Sequence, residues 1–324
     1  MKKTLAGLMI AFLMLAMCVQ VFATGGRQPS GPRKYRVGYA SLTEDNDFGV
    51  VTRESVQRYA AQRGWELIVV NNNYDGATAI RNADMMITQR VDGFINFQVD
   101  AGVAPVVARM MQEAGIPMIT IDCPHPNTPF FGANNREAGL ILGRALGDKA
   151  LAEWGGQVDL IILVGAPGSG EVVDLRMQNI VTGIIEKIPA AANVRVLDLD
   201  GRSEIETSQR VVADVLSANP SARRILIGGL NDQSGLGAFN AVQAANRQGN
   251  VFLGSHGCDA PAKNNLLNNP ANFWIGSVAY FPERYGEYVV PLMQDMMDGK
   301  RVPDFSHPDH VFIDKSNVRT FYSN

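Results

Sequence analysis

Cysteine is nearly absent. Three occur in 324 residues, and Cys18 lies in the N-terminal leader, which leaves Cys123 and Cys258 for the rest of the chain. Two thiols in about 300 residues are far below the density of a disulfide-stapled secreted scaffold, so stability must come from apolar cores. They can pair only if their Cα atoms come within bridging range, which spacing does not settle; unpaired thiols near loops are the expectation. Charge of one sign is missing too. Lys and Arg number 29 against 32 Asp and Glu, for a net charge of −3 and a pI near 5.9. No broad basic surface exists for nucleic acid or anionic lipid, and a ligand must be sought in a pocket. Beyond the leader no apolar run approaches the roughly 18 residues of a membrane span, which predicts a soluble mature protein.

The leader itself has a recognisable order. Lys2 and Lys3 precede an apolar stretch over 5–19, and Val21-Phe22-Ala23 offers a small-residue cleavage site before Thr24. This is the pattern of an export signal, predicted to span 1–23, with lipid attachment at Cys18 as the competing reading. Residues 24–34 are rich in Gly, Pro and Ser and read as a flexible spacer.

From residue 35 the chain alternates short apolar runs with amphipathic stretches. Strands are expected over 36–40, 66–71, 93–97 and 117–121, separated by helices over 50–63, 75–90 and 103–113. The spacing of Ala77, Ile80, Ala83 and Ile87 puts one apolar face on the second helix, with Asp75 where an N-cap belongs. Runs such as Leu67-Ile68-Val69-Val70 suit strands covered on both faces by helices. After residue 135 the pattern restarts: helices over 138–149, 172–187, 203–217 and 232–247, strands over 158–164, 194–199, 224–228 and 251–254, then a strand over 274–278, a helix over 283–298 and a strand over 311–313. Such alternation implies right-handed βαβ crossovers. The fold class is therefore α/β, two doubly wound parallel-sheet lobes, and the surplus of late elements implies returns to the first lobe through a multi-strand hinge.

Open parallel sheets bind ligands beyond the carboxyl ends of their strands. The residues there are Asn46-Asp47-Phe48, Gln98, Asp100, Asp122-Cys123, Asn134-Asn135, 167–171 followed by Arg176, Asp200, Asn231-Asp232, and His256 with Asp259. Amides, carboxylates, one Arg and scattered aromatics suit a neutral polar molecule held by many hydrogen bonds. Asp75, Asp232 and Asn135 have an equally good reading as helix caps. Asp122 ends a fully apolar strand, where a carboxylate needs partners, and is expected to meet ligand. Enzyme motifs fail: Glu171 stands where a phosphate loop would carry Lys, no Gly-x-Ser-x-Gly elbow occurs, and 255–259 is too local for a catalytic relay. No enzyme and no cofactor is expected. A metal reading remains, in which Cys123, His125, His256 and Cys258 supply a soft cation.

Several segments, taken in order, are similar to one family: Asn46-Asp47-Phe48, Val91-Asp92-Gly93-Phe94-Ile95, the run from Gly115 to Asp122, Ala133-Asn134-Asn135 with Ala138-Gly139, Asn231-Asp232 with Leu236-Gly237-Ala238, and Gly254. The chain from Tyr35 onward resembles the ribose-binding-like branch of the periplasmic binding proteins, whose type I fold is shared with the effector domains of lactose-repressor-type regulators. The resemblance implies an N-terminal lobe of 35–133 plus 281–306 and a C-terminal lobe of 134–280 plus 307–324. It implies that Asn46 and Phe48 approach the ligand from the first lobe, Phe48 stacking on a sugar face, that Asp122 accepts from hydroxyls, that Arg176 donates from the second lobe, and that Asn231 closes the other side; Asp47, between the first two, is a further ligand-binding candidate. Three positions depart from the ribose-binding pattern and are expected to alter the ligand: Cys123 for Arg, His256 for Asp, and Tyr280 for Gln.

The expected protein is then a periplasmic, monomeric solute-binding protein that captures a small sugar-like ligand between its lobes for an ABC permease. A sensor feeding a membrane receptor kinase and an exported Cys/His metal-binding protein are the alternatives.

Overall fold

The computed structural model describes residues 34–45, 47–167 and 170–322. The expected export signal, Cys18, the spacer up to residue 33, and Asn46 lie outside the described residues. The folded body begins at Arg36.

Two six-stranded sheets organise it. The first is built from β1 (Arg36–Ser41), β2 (Glu66–Asn71), β3 (Gly93–Phe97), β4 (Met118–Ile121), β5 (Phe130–Phe131) and β11 (Phe305–Ser306), in the order β11-β5-β4-β3-β1-β2. The second holds β6 (Leu160–Gly165), β7 (Val196–Asp200), β8 (Ile225–Gly229), β9 (Val251–Gly257), β10 (Trp274–Ala279) and β12 (Val311–Ile313), in the order β12-β10-β9-β8-β6-β7. Every pairing is parallel except β10 with β12. Central strands β3, β4, β6 and β8 are buried along their whole length. Edge strand β7 instead alternates exposed and half-buried positions, as a strand with one wet face must.

Helices clothe both sheets. The first sheet carries α1 (Asp47–Gln62), α2 (Gly76–Thr88) and α3 (Ala104–Glu113). The second carries α4 (Asn135–Trp154), α5 (Glu171–Lys187), α6 (Ile205–Ala218), α7 (Asp232–Ala244) and α8 (Ala260–Asn268). The late helix α9 (Tyr285–Met297) returns to α1, where the Ser55 hydroxyl donates to the Glu283 carbonyl at 2.7 Å and accepts from the Gly286 N–H at 3.0 Å. A short α10 (Val318–Phe321) ends the described chain. Pairing α4 with α5 requires glycine at the crossing: a Cβ on Gly143 would collide with the Ile180 carbonyl oxygen, and one on Gly139 with that of Arg176.

The strand order makes the chain pass between the sheets after β5, after β10 and after β11. His310 ties the three passages together. Its Nε2 accepts the Asn134 N–H at 2.9 Å, so Nδ1 carries the proton and points it at the Ala279 carbonyl at 3.3 Å. Burial holds this imidazole down at about 4, so the ring is neutral and keeps its acceptor. Cys123 and Cys258 are both free and buried. No helix among the described residues is long and apolar enough to cross a membrane.

Candidate functional site

A cleft of about 680 Å³ opens along the carboxyl ends of both sheets, within the size range of small-molecule sites. Its lining combines residues of the first sheet's loops (Leu42, Phe48, Phe97, Asp122, Cys123) with residues of the second (Arg176, Leu230, Asn231, His256, Asp259, Tyr280). Of the nine residues singled out from sequence, seven line it. Asp47 is exposed in the first turn of α1 and is not among the lining residues, and Asn46 is not described.

On the first-lobe wall, Phe48 stands edge-on to Phe97 (centroids 6.1 Å, 70°) and to Tyr285 (5.6 Å, 87°). This aromatic cluster holds the ring in place from behind. Asp122 follows β4 in the left-handed region (φ 58), a conformation that Asp tolerates better than most residues. The turn is held by its own N–H on the Phe131 carbonyl at 3.0 Å, and its Oδ1 accepts the Ala133 N–H at 3.2 Å. Burial raises the carboxyl to about 6, partly opposed by the Ala133 N–H and the Arg176 charge. It is therefore ionised at neutral pH. Beside it, burial and then the charges of Asp100 and Asp122 push the Cys123 thiol up to about 11, which keeps it protonated and unreactive.

Arg176, in the second turn of α5, faces from the other lobe. Its Nε donates to Asn135 Oδ1 at 2.7 Å, its Nη1 to the Leu230 carbonyl at 2.8 Å, and the guanidinium lies 5.1 Å from the Tyr280 ring centroid. Nη2 has no hydrogen-bond partner among the described residues. Asn135 completes a relay: its Nδ2 donates to the Ala133 carbonyl at 3.2 Å, and the Ala133 N–H is the one held by Asp122. Two cleft-lining charges from different sheets are thus coupled through one passage of the chain. Tyr280 presents a buried hydroxyl with no partner among the described residues, the kind of orphan a bound polar molecule satisfies.

Asn231 both lines the cleft and caps α7, its Oδ1 accepting the Ser234 N–H at 2.8 Å while Nδ2 donates to the Ser203 carbonyl at 3.4 Å. The caps expected at Asp232 and Asn135 are corrected here. Asn231 and Asn134 are the N-caps, one residue earlier in each case, which turns the Asp232 and Asn135 side chains inward. His256 lies at the cleft, but its two ring nitrogens sit against the Gly229 and Ala138 carbonyls at 2.9 and 3.3 Å, and burial holds the ring near 3 and uncharged.

The metal reading is overturned. The His125 ring is taken by the Cys123 carbonyl at 2.9 Å, Gln98 at 3.2 Å and Asn96 at 3.3 Å. No group of three or more His, Cys, Asp or Glu able to hold a metal ion occurs among the described residues. Sequence reasoning missed Phe97 and Leu42, although both sit at the carboxyl end of a first-sheet strand, where that rule points. It noticed Asp259 without placing it in the site.

A family model described as a periplasmic binding protein domain matches residues 37–301. The D-ribose/D-allose-binding protein of Pseudomonas aeruginosa is 24% identical over 264 residues, covering 78% of this chain and 79% of its own length. The ribose import binding protein of Bacillus subtilis is 21% identical over 323 residues, covering 93% and 95%. Among solved structures, a periplasmic solute-binding protein of an ABC transporter from Actinobacillus succinogenes with bound D-allose superposes with a TM-score of 0.75 at 19% identity, covering 89% of this chain and 100% of that one. One from Bacillus halodurans with bound myo-inositol gives 0.75 at 17% identity, covering 90% and 99%. At these identities the solved structures establish the fold: two lobes of the type I arrangement.

Proposed function

We propose that this chain, which belongs to the periplasmic binding protein domain family, captures a small polar molecule of the monosaccharide or polyol class in its interlobe cleft and delivers it to an ABC importer. The observation that carries this reading is the convergence of Asp122 and Arg176, from opposite sheets, on one cleft walled by Phe48 and Tyr280. A carboxylate accepts from hydroxyls, a guanidinium with free N–H groups donates to ring or hydroxyl oxygens, and an aromatic face covers the C–H side of a sugar. Relatives named for ribose, allose, xylitol and fructose support the ligand class.

The work of such a protein is closure, with no bond made or broken. A ligand that touches both lobes favours the closed state over the open one, and only that difference shifts the population. We take the lobes as 35–133 plus 281–306 and 134–280 plus 307–324, with the three passages near His310 as the hinge. Asn46, Asp47, Phe48, Asp122, Cys123, Arg176, Asn231, His256 and Tyr280 form the proposed contact set. The N-terminal segment acts as the export signal, the mature protein works as a monomer outside the cytoplasmic membrane, and a membrane permease receives the closed form.

A thermal-shift screen of pentoses, hexoses, deoxy sugars and polyols tests the reading. A ligand present at 100 times its dissociation constant stabilises the fold by about 2.7 kcal/mol, or about 5 to 10 °C in a body of this size. Flat melting temperatures across the whole panel would overturn it.

A further inference from the structure

The second lobe places a carboxyl in the cleft that the contact set above does not use. Asp259 follows β9 and opens α8, lines the cleft, and is only 7% exposed. Its carboxyl makes no cap and no hydrogen bond to any described residue. A carboxyl largely withdrawn from water and holding no hydrogen bond is favoured in its protonated form or by a ligand that pairs with it.

Its surroundings decide between those states. Neighbouring Asp232 is fully buried, with Oδ1 accepting the Ser255 and Ser277 hydroxyls at 2.5 and 2.7 Å and Oδ2 accepting the Asp259 N–H at 2.6 Å. Three donors make Asp232 the ionised member of the pair. An ideal Cβ on Gly257 (φ 118) would lie 2.8 Å from Asp259 Oδ2 and 3.2 Å from Asp232 Oδ2, so the two carboxyls flank one bare turn. The other groups acting on Asp259 are Lys263 from α8, Asp47 from α1 and Glu283 before α9, with Tyr280, Tyr285, Cys258 and Tyr322 close by. One cation against three carboxylates does not favour a second charge.

We infer that Asp259 is a specificity-determining residue of the cleft, its carboxyl reading one oxygen of the bound ligand from the second lobe. Burial first, and then the Asp232 charge, lift this group well above the usual carboxylate range, so at neutral pH it carries its proton and donates. Asp122 accepts on one lobe and Asp259 donates on the other, which fixes the orientation of an uncharged polyhydroxylated ligand. An anionic substituent at this end would meet the Asp232 charge.

The inference rests on the cleft reading, and the experiment separates the two. The tightest sugar or polyol of the panel is titrated calorimetrically into wild type, Asp259→Ala and Asp259→Asn at pH 6.5 and 9, with melting temperatures taken without ligand. Expected are a loss of about 10-fold or more in affinity for Asp259→Ala, partial recovery in Asp259→Asn, and a wild-type affinity that falls toward pH 9 while that of Asp259→Asn does not. Ligand-free melting temperatures should hold or rise in both variants, because a largely buried carboxyl crowded by three others and holding no hydrogen bond in the empty cleft is removed. Unchanged affinity in Asp259→Ala, or a lowered ligand-free melting temperature in both variants, overturns the assignment while the cleft reading stands. A wild type that binds no member of the panel overturns both.

Discussion

Replacing Arg176 by Met removes the charge and keeps an apolar stem over Tyr280. Two effects separate. On the proposed contact set the ligand loses a charged donor from Nη2, worth about 1.5 to 3 kcal/mol, or roughly 10- to 150-fold in affinity. The protein loses the donors to Asn135 Oδ1 and the Leu230 carbonyl. The cleft admits water, so the cost to the empty fold stays near the low end for orphaned acceptors, about 1 to 2 kcal/mol in total. At about 2 to 4 °C per kcal/mol the melting temperature falls by roughly 2 to 8 °C. A third readout follows from Asp122, whose carboxyl burial raises to about 6 while Arg176 pulls it back. An accepting carboxylate binds hydroxyls above that value, and its contribution is lost as pH falls through it. Removing Arg176 moves this window upward, so the variant should begin to lose affinity at a higher pH than wild type. Calorimetry across pH 5 to 8 measures both quantities. Equal affinity in the two proteins at pH 7.5, or pH profiles that superimpose, would refute the placement of Arg176 at the ligand.

Two further outcomes are expected. His310→Phe should destabilise the ligand-free protein by about 1 to 2 kcal/mol at pH 7, because the Asn134 N–H loses its acceptor. The wild-type ring, held below its ordinary value, stabilises the fold fully above about pH 6.5, and that contribution is lost as pH falls through about 4. Urea unfolding at pH 7 and 4.5 should therefore show the mutant and wild type drawing together at the lower pH. Gly143→Ala should cost about 1 to 3 kcal/mol, since the Ile180 carbonyl must move to admit the methyl group. It should weaken ligand binding as well, because α5 carries Arg176; a stable Gly143→Ala protein with normal affinity would disprove the close α4–α5 packing.

Much of this architecture is legible in the residues. Strands over 66–71, 93–97 and 311–313 have the bounds expected from their apolar runs, because β-branched and aromatic residues end there at polar or Gly-rich turns. Non-local features were not legible. The pairing of Phe130–Phe131 with Phe305–Ser306 joins segments far apart in the chain, each too short to show a period. Helix α8 is short and polar, and its apolar periodicity is too weak to announce it. One-residue shifts at the caps had the largest effect on the site. Placing the cap on Asn134 rather than Asn135 frees Asn135 for Arg176, and placing it on Asn231 frees Asp232 for Ser255 and Ser277. Strand β9 runs on through His256 to Gly257 instead of stopping at Gly254, so the imidazole ends against main-chain carbonyls. Residue type located the carboxyl-end loops and the family resemblance named seven residues that line the cleft; the three-dimensional turns decided how Asn135, Asp232 and Asp259 are placed around them.

Small-angle X-ray scattering of the protein with and without its saturating ligand tests the central claim most directly. A jaw that closes on a ligand held by Asp122 and Arg176 predicts a smaller radius of gyration in the bound state, abolished in Arg176→Met at the same ligand concentration when that concentration lies below the variant's dissociation constant. An unchanged radius for wild type under saturating ligand would contradict it.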